Sequence, residues 1–196
     1  MWYKSNALID TPVKKDYSMT ARHDSLTLYG GPYTLSMPAC PTLFLRKQRH
    51  WPVTWETQLD FQPNVPRVEA GTVLYWNYTC YSSIGIAFTD RNGQPQRIVR
   101  LTRPDMEIVE QPISEKGEIK LIIESTATSY RFGYREVDDG AQQSAEWTWL
   151  GEIDTQIMTR NPYIGAPFTG MMMGLYSYGE LQPVLTPAHF AYAEFQ

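Results

Sequence analysis

Cysteine is scarce in this chain: Cys40 and Cys80 are the only two among 196 residues. That excludes a dense disulfide scaffold and a four-cysteine zinc site. It leaves one Cys40–Cys80 disulfide or two free thiols as alternatives, since sequence gives no Cα separation. Histidine is as thin. His23, His50 and His189 lie far apart and lack the close pairing of a metal site. No apolar run approaches the ~20 residues a helix needs to span a bilayer. A formal net charge of −4 gives no basic field for nucleic acid or an anionic membrane, and an uncharged ligand fits it better. The opening Met1-Trp2-Tyr3-Lys4-Ser5-Asn6 has no apolar segment, so no signal peptide is expected in this chain. Gly-x-Ser-x-Gly is absent, and no Ser, Cys or Lys has the local context of an activated nucleophile.

Aromatic residues are plentiful, with 6 Trp, 13 Tyr and 7 Phe. An apolar content of 42% with 19% charge describes a globular chain long enough to bury a core without metal or disulfide staples. Residues 70–88 organise the reading. Val73, Leu74, Tyr75 and Trp76 are β-branched and aromatic types suited to a pleated, buried surface. Asn77-Tyr78-Thr79-Cys80 interrupts them with turn chemistry. A second strand follows over 81–88, and Asn92-Gly93 marks a tight hairpin because type I′ turns need positive φ. A third strand over 96–101 completes an antiparallel meander.

Elsewhere the period is also two. Val53, Trp55, Thr57, Leu59 and Phe61 alternate with Thr54, Glu56, Gln58 and Asp60, the pattern of a half-exposed strand. Further strands are predicted over 26–29, 42–46, 106–110, 118–124, 129–136, 146–150, 170–178 and 190–195. That makes twelve strands and no helix, and strands at this spacing predict an all-β, jelly-roll type sandwich of two antiparallel sheets. Residues 1–25 read as an extended arm and 26–196 as one β-sandwich domain.

Several stretches then fall in order: Leu45-Arg46-Lys47-Gln48, Leu59-Asp60-Phe61-Gln62-Pro63, Glu69-Ala70-Gly71 and Tyr75-Trp76-Asn77. Tyr130-Arg131-Phe132-Gly133-Tyr134, Phe168-Thr169-Gly170 and Gly174-Leu175-Tyr176 continue the series. Together they resemble the C-terminal concanavalin A-like domain of glycoside hydrolase family 43 β-xylosidases, also described as carbohydrate-binding module family 91. The resemblance covers roughly residues 8–195. It implies a β-sandwich that follows a five-bladed propeller, which in that family holds the catalytic carboxylates. This chain has no room for a propeller, so the resemblance carries no catalytic residue onto it. Ala188-His189-Phe190-Ala191 stands where relatives commonly have aspartates.

Gly151-Glu152-Ile153-Asp154-Thr155-Gln156-Ile157 begins like the Glu-x-Asp-x-x-Glu signature of jelly-roll β-glucanases. Ile157 occupies the position of the acid/base, and retaining hydrolysis needs two carboxyl groups about 5–5.5 Å apart. A strand edge and turn is the competing reading. No cofactor is implied, although Asp90 with Asn92, or Asp138 with Asp139, offers oxygens to calcium. Asn77-Tyr78-Thr79 is an N-glycosylation sequon and points to an extracellular location.

The aromatics carry the functional expectation. Trp76, Tyr78, Tyr81, Trp147 and Trp149 are candidate platforms for the C–H face of a pyranose, with Asn77 and Arg131 bonding its hydroxyls. A sandwich aromatic is otherwise core, and a one-residue slip in register reverses every facing. The expected role is non-catalytic binding of xylan or xylo-oligosaccharide beside a family 43 xylosidase. Two alternatives stand: a structural domain that supports a family 43 propeller and shapes its active-site rim, or a β-glucanase-like hydrolase.

Overall fold

The computed structural model describes residues 3–4, 16–91, 94–105, 107–137, 146–159 and 170–196. Fourteen strands appear among them: β1 (Tyr3–Lys4), β2 (Tyr17–Ser18), β3 (Leu26–Leu28), β4 (Thr42–Lys47), β5 (Val53–Asp60), β6 (Val68–Asn77) and β7 (Cys80–Arg91), then β8 (Gln94–Thr102), β9 (Ile108–Pro112), β10 (Ile119–Ser125), β11 (Ser129–Glu136), β12 (Thr148–Asp154), β13 (Met172–Gly179) and β14 (Ala188–Phe195). The first sheet runs β1-β4-β13-β6-β7-β8-β9 and the second β12-β11-β10-β5-β14-β3-β2. Every pairing between these strands is antiparallel.

The meander of β6, β7 and β8 forms as the turn chemistry dictates, with Val73 opposite Ser83 and Ile84 opposite Leu101. Two strands were not expected. Tyr3–Lys4 pairs with β4 and Tyr17–Ser18 with β3, so the described parts of the N-terminal stretch edge both sheets. Two-residue edges are too short to show any period. The strand predicted over 106–110 sits at Ile108–Pro112, and that over 146–150 at Thr148–Asp154. One helix, α1 (Thr155–Thr159), replaces the expected turn, because Asp154 Oδ1 accepts from the Gln156 amide at 2.7 Å as a helix cap.

Between the sheets lies a core built from Trp55, Leu59, Leu74, Ile84, Val99, Leu121, Ile123, Phe132, Leu175 and Phe190. The alternation in β5 sends Trp55, Thr57 and Leu59 inward opposite Ile123, Leu121 and Ile119. Its outer row is less exposed than predicted: Glu56 is only 8% exposed, covered by Lys120, Arg135 and Tyr192. A pair of linked hydrogen bonds crosses the core. Trp55 Nε1 donates to Thr72 Oγ1 at 2.6 Å, and Thr72 donates onward to Gly174 O at 2.8 Å, tying β5 of one sheet to β6 and β13 of the other. Trp55→Phe is expected to lower stability by about 2 kcal/mol through the lost bond and the smaller ring, read from a urea midpoint.

Both cysteines are free, so the optional disulfide is not formed. Cys80 is buried, its Sγ donating to Met158 O at 3.3 Å, and burial pushes its thiol pKa up.

Candidate functional site: a recess on the outer face of the first sheet

The proposed platforms do not form one surface. A bulge between Tyr75 and Asn77 makes Trp76 the extra residue of its hairpin, and its ring packs on the core. Trp76 is half-buried, with its ring packed against the core. Asn77 is committed to its own turn: its Oδ1 accepts from the Thr79 amide at 2.9 Å and from Thr79 Oγ1 at 2.8 Å. Its Nδ2 is buried without a partner, which leaves no open space for a glycan on that nitrogen. Tyr78 is half-buried beside it.

Arg131 lies in β11 and Trp149 in β12 of the second sheet, with Trp147 just before β12. Here the structure explains the aromatics differently. The Arg131 guanidinium stands 3.7 Å from the Trp149 ring centroid, and Arg135 stands 4.4 Å from that of Trp147. The two indoles are 6.4 Å apart, and Arg131 is itself held by Glu124 at 2.7 Å. A Cβ on Gly133 would meet the Trp149 ring at 2.9 Å, so the indole rests on bare backbone. Each indole thus has one face against a guanidinium, and Trp149 is also backed by Gly133. A bulge at Phe132–Gly133, opposite Leu150, sets this facing.

Glu152 and Asp154 are exposed on β12, the edge strand of the second sheet, and Asp154 caps α1. Ile157, 42% exposed on α1, stands where a β-glucanase-like hydrolase would carry its second acid. Asn92, Asp138 and Asp139 lie outside the described residues. Among the described residues, no three His, Cys, Asp or Glu side chains gather as metal ligands.

Tyr81 lines a recess. In β6, Glu69, Gly71, Val73 and Tyr75 point away from the core, opposite Ala87, Gly85, Ser83 and Tyr81 of β7 and flanked by Tyr178, Tyr176 and Gly174 of β13. Residues 29–41 fold across this face, and Leu35 packs there with Leu43, Leu45, Val73, Tyr81 and Tyr176 as a second apolar cluster. Gly85 is required beneath it. A Cβ there would collide with the Tyr176 hydroxyl, so the bare backbone gives that ring its slot.

Beside this cluster opens a recess of about 280 Å³, lined by Glu69, Tyr81, Arg100 and Tyr178 at its base and by Thr34, Ser36, Arg67 and Glu180 around it. Glu69 is 1% exposed, the one acid in β6. Its Oε1 accepts from the Tyr176 hydroxyl at 2.5 Å and its Oε2 from Arg100 Nη1 at 3.1 Å. Arg100 also donates through Nε to Glu110 at 2.9 Å. Burial works against the Arg100 charge, but the two carboxylates win and raise its pKa. Burial, reinforced by the Glu69 charge, lifts Tyr176 and Tyr178 well above the usual phenol range. Tyr81 is raised by burial as well, with Ser36 bonded to its hydroxyl.

Sequence reasoning missed Glu69, Arg100 and Tyr178. The signal was present: a glutamate in the run Val68-Glu69-Ala70-Gly71-Thr72-Val73-Leu74 must find a partner if the strand is buried. A larger hollow of about 420 Å³ beside β2 and β3 has mostly apolar walls, among them Leu26, Phe44, Leu175 and Phe190, with Tyr17, Asp24, Ser25 and Tyr192 also lining it.

The family model of the beta xylosidase C-terminal concanavalin A-like domain matches residues 7–196. The chain belongs to this family. The beta xylosidase C-terminal domain is the non-catalytic part of glycoside hydrolase family 43 enzymes, and the two-sheet sandwich described above is its fold. A Bacteroides ovatus protein named non-reducing end alpha-L-arabinofuranosidase BoGH43B is 30% identical over 191 residues, which span 96% of this chain and 34% of that protein. The structure described as Bacteroides ovatus Xyloglucan PUL GH43B superposes with a TM-score of 0.79 at 27% identity, over 94% of this chain and 35% of that one. A xylan beta-1,4-xylosidase from Bacillus halodurans C-125 has a TM-score of 0.76 at 21% identity, over 94% and 35% of the two chains, which is a likeness of fold. A Saccharomyces cerevisiae protein described as functionally unknown shares the fold at a TM-score of 0.61 and 9% identity, over 100% of this chain and 95% of its own. The chain thus spans about a third of the length of the curated relative it matches.

Proposed function

We propose that this beta xylosidase C-terminal domain binds xylan or xylo-oligosaccharide without cleaving it, as the accessory domain of a family 43 glycoside hydrolase. One observation carries the reading: a recess on a sheet face whose lining joins phenol and alcohol hydroxyls to Glu69 and Arg100, which Tyr176 anchors from beneath through Glu69. Buried polar groups cost free energy unless they are satisfied, and convergent ones in a concave site are the usual mark of a ligand pocket. The names of the relatives, an arabinofuranosidase and a xylan xylosidase, favour pentose-containing glycans as ligand. Tethered to an enzyme, such a domain would raise the local concentration of substrate.

Titration of the chain with xylohexaose by calorimetry tests the proposal. Binding should fall at least about tenfold in Tyr81→Ala, which removes a ring and a hydroxyl from the recess wall. It should persist in Trp147→Ala and Trp149→Ala, whose rings serve their own arginines. Loss of binding in the tryptophan variants, with Tyr81→Ala unaffected, would move the site to the second sheet.

The second reading is a domain that supports a catalytic propeller. It is favoured by the relatives' length, of which this chain matches about a third. Tight docking of this chain to a separately produced family 43 propeller, with no sugar affinity, would support it.

A further inference from the structure

Resting on the sugar-binding reading, we propose that the recess takes one neutral sugar unit at the end of a glycan chain and not an internal stretch of polymer. Size comes first. The recess encloses about 280 Å³, just under the roughly 300–1,000 Å³ of sites that engulf drug-sized ligands. One sugar ring fits such a space, and a run of several does not.

Its walls are fixed. The Glu180 amide donates to Arg67 O at 2.8 Å, Leu181 to Pro32 O at 3.0 Å, Gly179 to Gly31 O at 2.8 Å and Val184 to Gly30 O at 2.9 Å. These backbone bonds lock three connections together along one side: the start of the 29–41 segment, the β5–β6 loop and the β13–β14 loop. Residues 34–37 of the same segment supply Thr34, Ser36 and Met37 to the lining. The site is pre-formed, so little ordering is needed to fill it.

Charge decides the class of sugar. Two arginines, Arg67 and Arg100, face two glutamates, Glu69 and Glu180, so the lining is formally neutral. Arg100 is engaged by Glu69 and Glu110, and Arg67 stands 3.9 Å from Glu180. At Arg100 a uronate or phosphate would have to take a guanidinium from two carboxylates that already hold it, and it would meet the buried charge of Glu69 beside it. The Tyr81, Tyr178, Ser36, Thr34 and Thr102 hydroxyls are the complementary groups, since each both donates and accepts, as sugar hydroxyls do.

End recognition has a readout that chain binding lacks. The chain is titrated with xylobiose, xylohexaose and soluble xylan of known mean length, and the affinities are compared per chain end and per unit mass. The expected result is one domain per chain, a constant affinity per end, and an affinity per mass that falls in proportion to length. An oligomer terminated by glucuronate should bind at least about tenfold more weakly than its neutral counterpart. Ser36→Ala and Thr102→Val, both outside the apolar core, should each weaken xylobiose binding severalfold while the melting temperature holds.

Several domains per xylan chain, with affinity following mass, would overturn end recognition and leave sugar binding standing. No heat or chemical-shift change with any neutral oligomer at millimolar concentration would overturn both. Binding that ignores Ser36→Ala, Thr102→Val and Tyr81→Ala together would overturn the recess as the site.

Discussion

Glu69→Ala is expected to cost about 3–5 kcal/mol, because truncating one partner of a buried ion pair strands the other. Glu69 is 1% exposed, and its oxygens are filled by Tyr176 at 2.5 Å and Arg100 at 3.1 Å. Without it, Tyr176, fully buried, keeps a hydroxyl that has lost its charged acceptor. Arg100 is left leaning on Glu110. Removing both members of the pair should cost less than the sum of the single changes. The Glu69→Leu, Arg100→Met double variant is therefore expected to show a coupling of at least about 2 kcal/mol in a double-mutant cycle by urea unfolding. Additive effects within about 0.5 kcal/mol would mean that the pair contributes no mutual stabilisation. The sugar affinity of Glu69→Ala should vanish with the recess geometry, even where enough folded protein remains to assay.

Alkali is expected to unfold the domain in a single transition between about pH 10 and 12. Tyr75 is pushed up to about 12, chiefly by burial and then by the neighbouring Tyr81 and Tyr78. Burial followed by the charge of Glu69 raises Tyr176 and Tyr178, and burial followed by the Glu56 bond raises Tyr192. A folded-state pKa above the unfolded value means that the native protein holds the proton more tightly. The stability these groups contribute is fully present below the unfolded phenol pKa of about 10 and is lost as pH rises toward the folded values. Each of the three well-buried rings, Tyr75, Tyr176 and Tyr178, removes about 1.4 kcal/mol per pH unit in that window, so together they remove roughly 4 kcal/mol by pH 11, with a smaller part from the more exposed Tyr192. That is comparable to the whole stability of an ordinary domain. Tyrosinate absorbance and the loss of the β-sheet circular dichroism signal should rise together. Smooth phenol titration near pH 10 with the sheets intact would show that these rings are not shielded. Tyr176→Phe should shift the midpoint upward, since the phenyl ring has no proton to lose, although its bond to Glu69 goes with it.

The reading of the strands survives because it depends on neighbours in sequence. Asn77-Tyr78-Thr79-Cys80 turns the chain as its composition dictates, and the alternation from Val53 to Asp60 places Trp55 and Leu59 against β10. The strand boundaries drift where the period is interrupted. At β12 the extra residue Leu150 carries the strand on to Asp154, and Gly151 then pairs with Phe132. Asp90 stays in β7, paired opposite Pro95. The same interruptions explain the aromatics. Trp76 sits on a bulge and turns to the core, whereas Tyr75 and Tyr81 face outward with ring centroids 6.2 Å apart. No count of alternating residues locates a bulge, because a bulge answers to the partner strand.

The amino-acid sequence alone determined the all-β class, the central meander and, through its ordered motifs, the family, since hydrophobic period, turn residues and motif order are properties of adjacent residues. Tertiary structure alone decided which rings are exposed and where the polar recess lies. Glu69 meets Arg100 across 31 positions and Tyr176 across 107. Arg131 and Arg135 cover the tryptophans that sequence offered as platforms. Contacts at that separation follow from how two twisted sheets register against each other, and no local pattern encodes that registration.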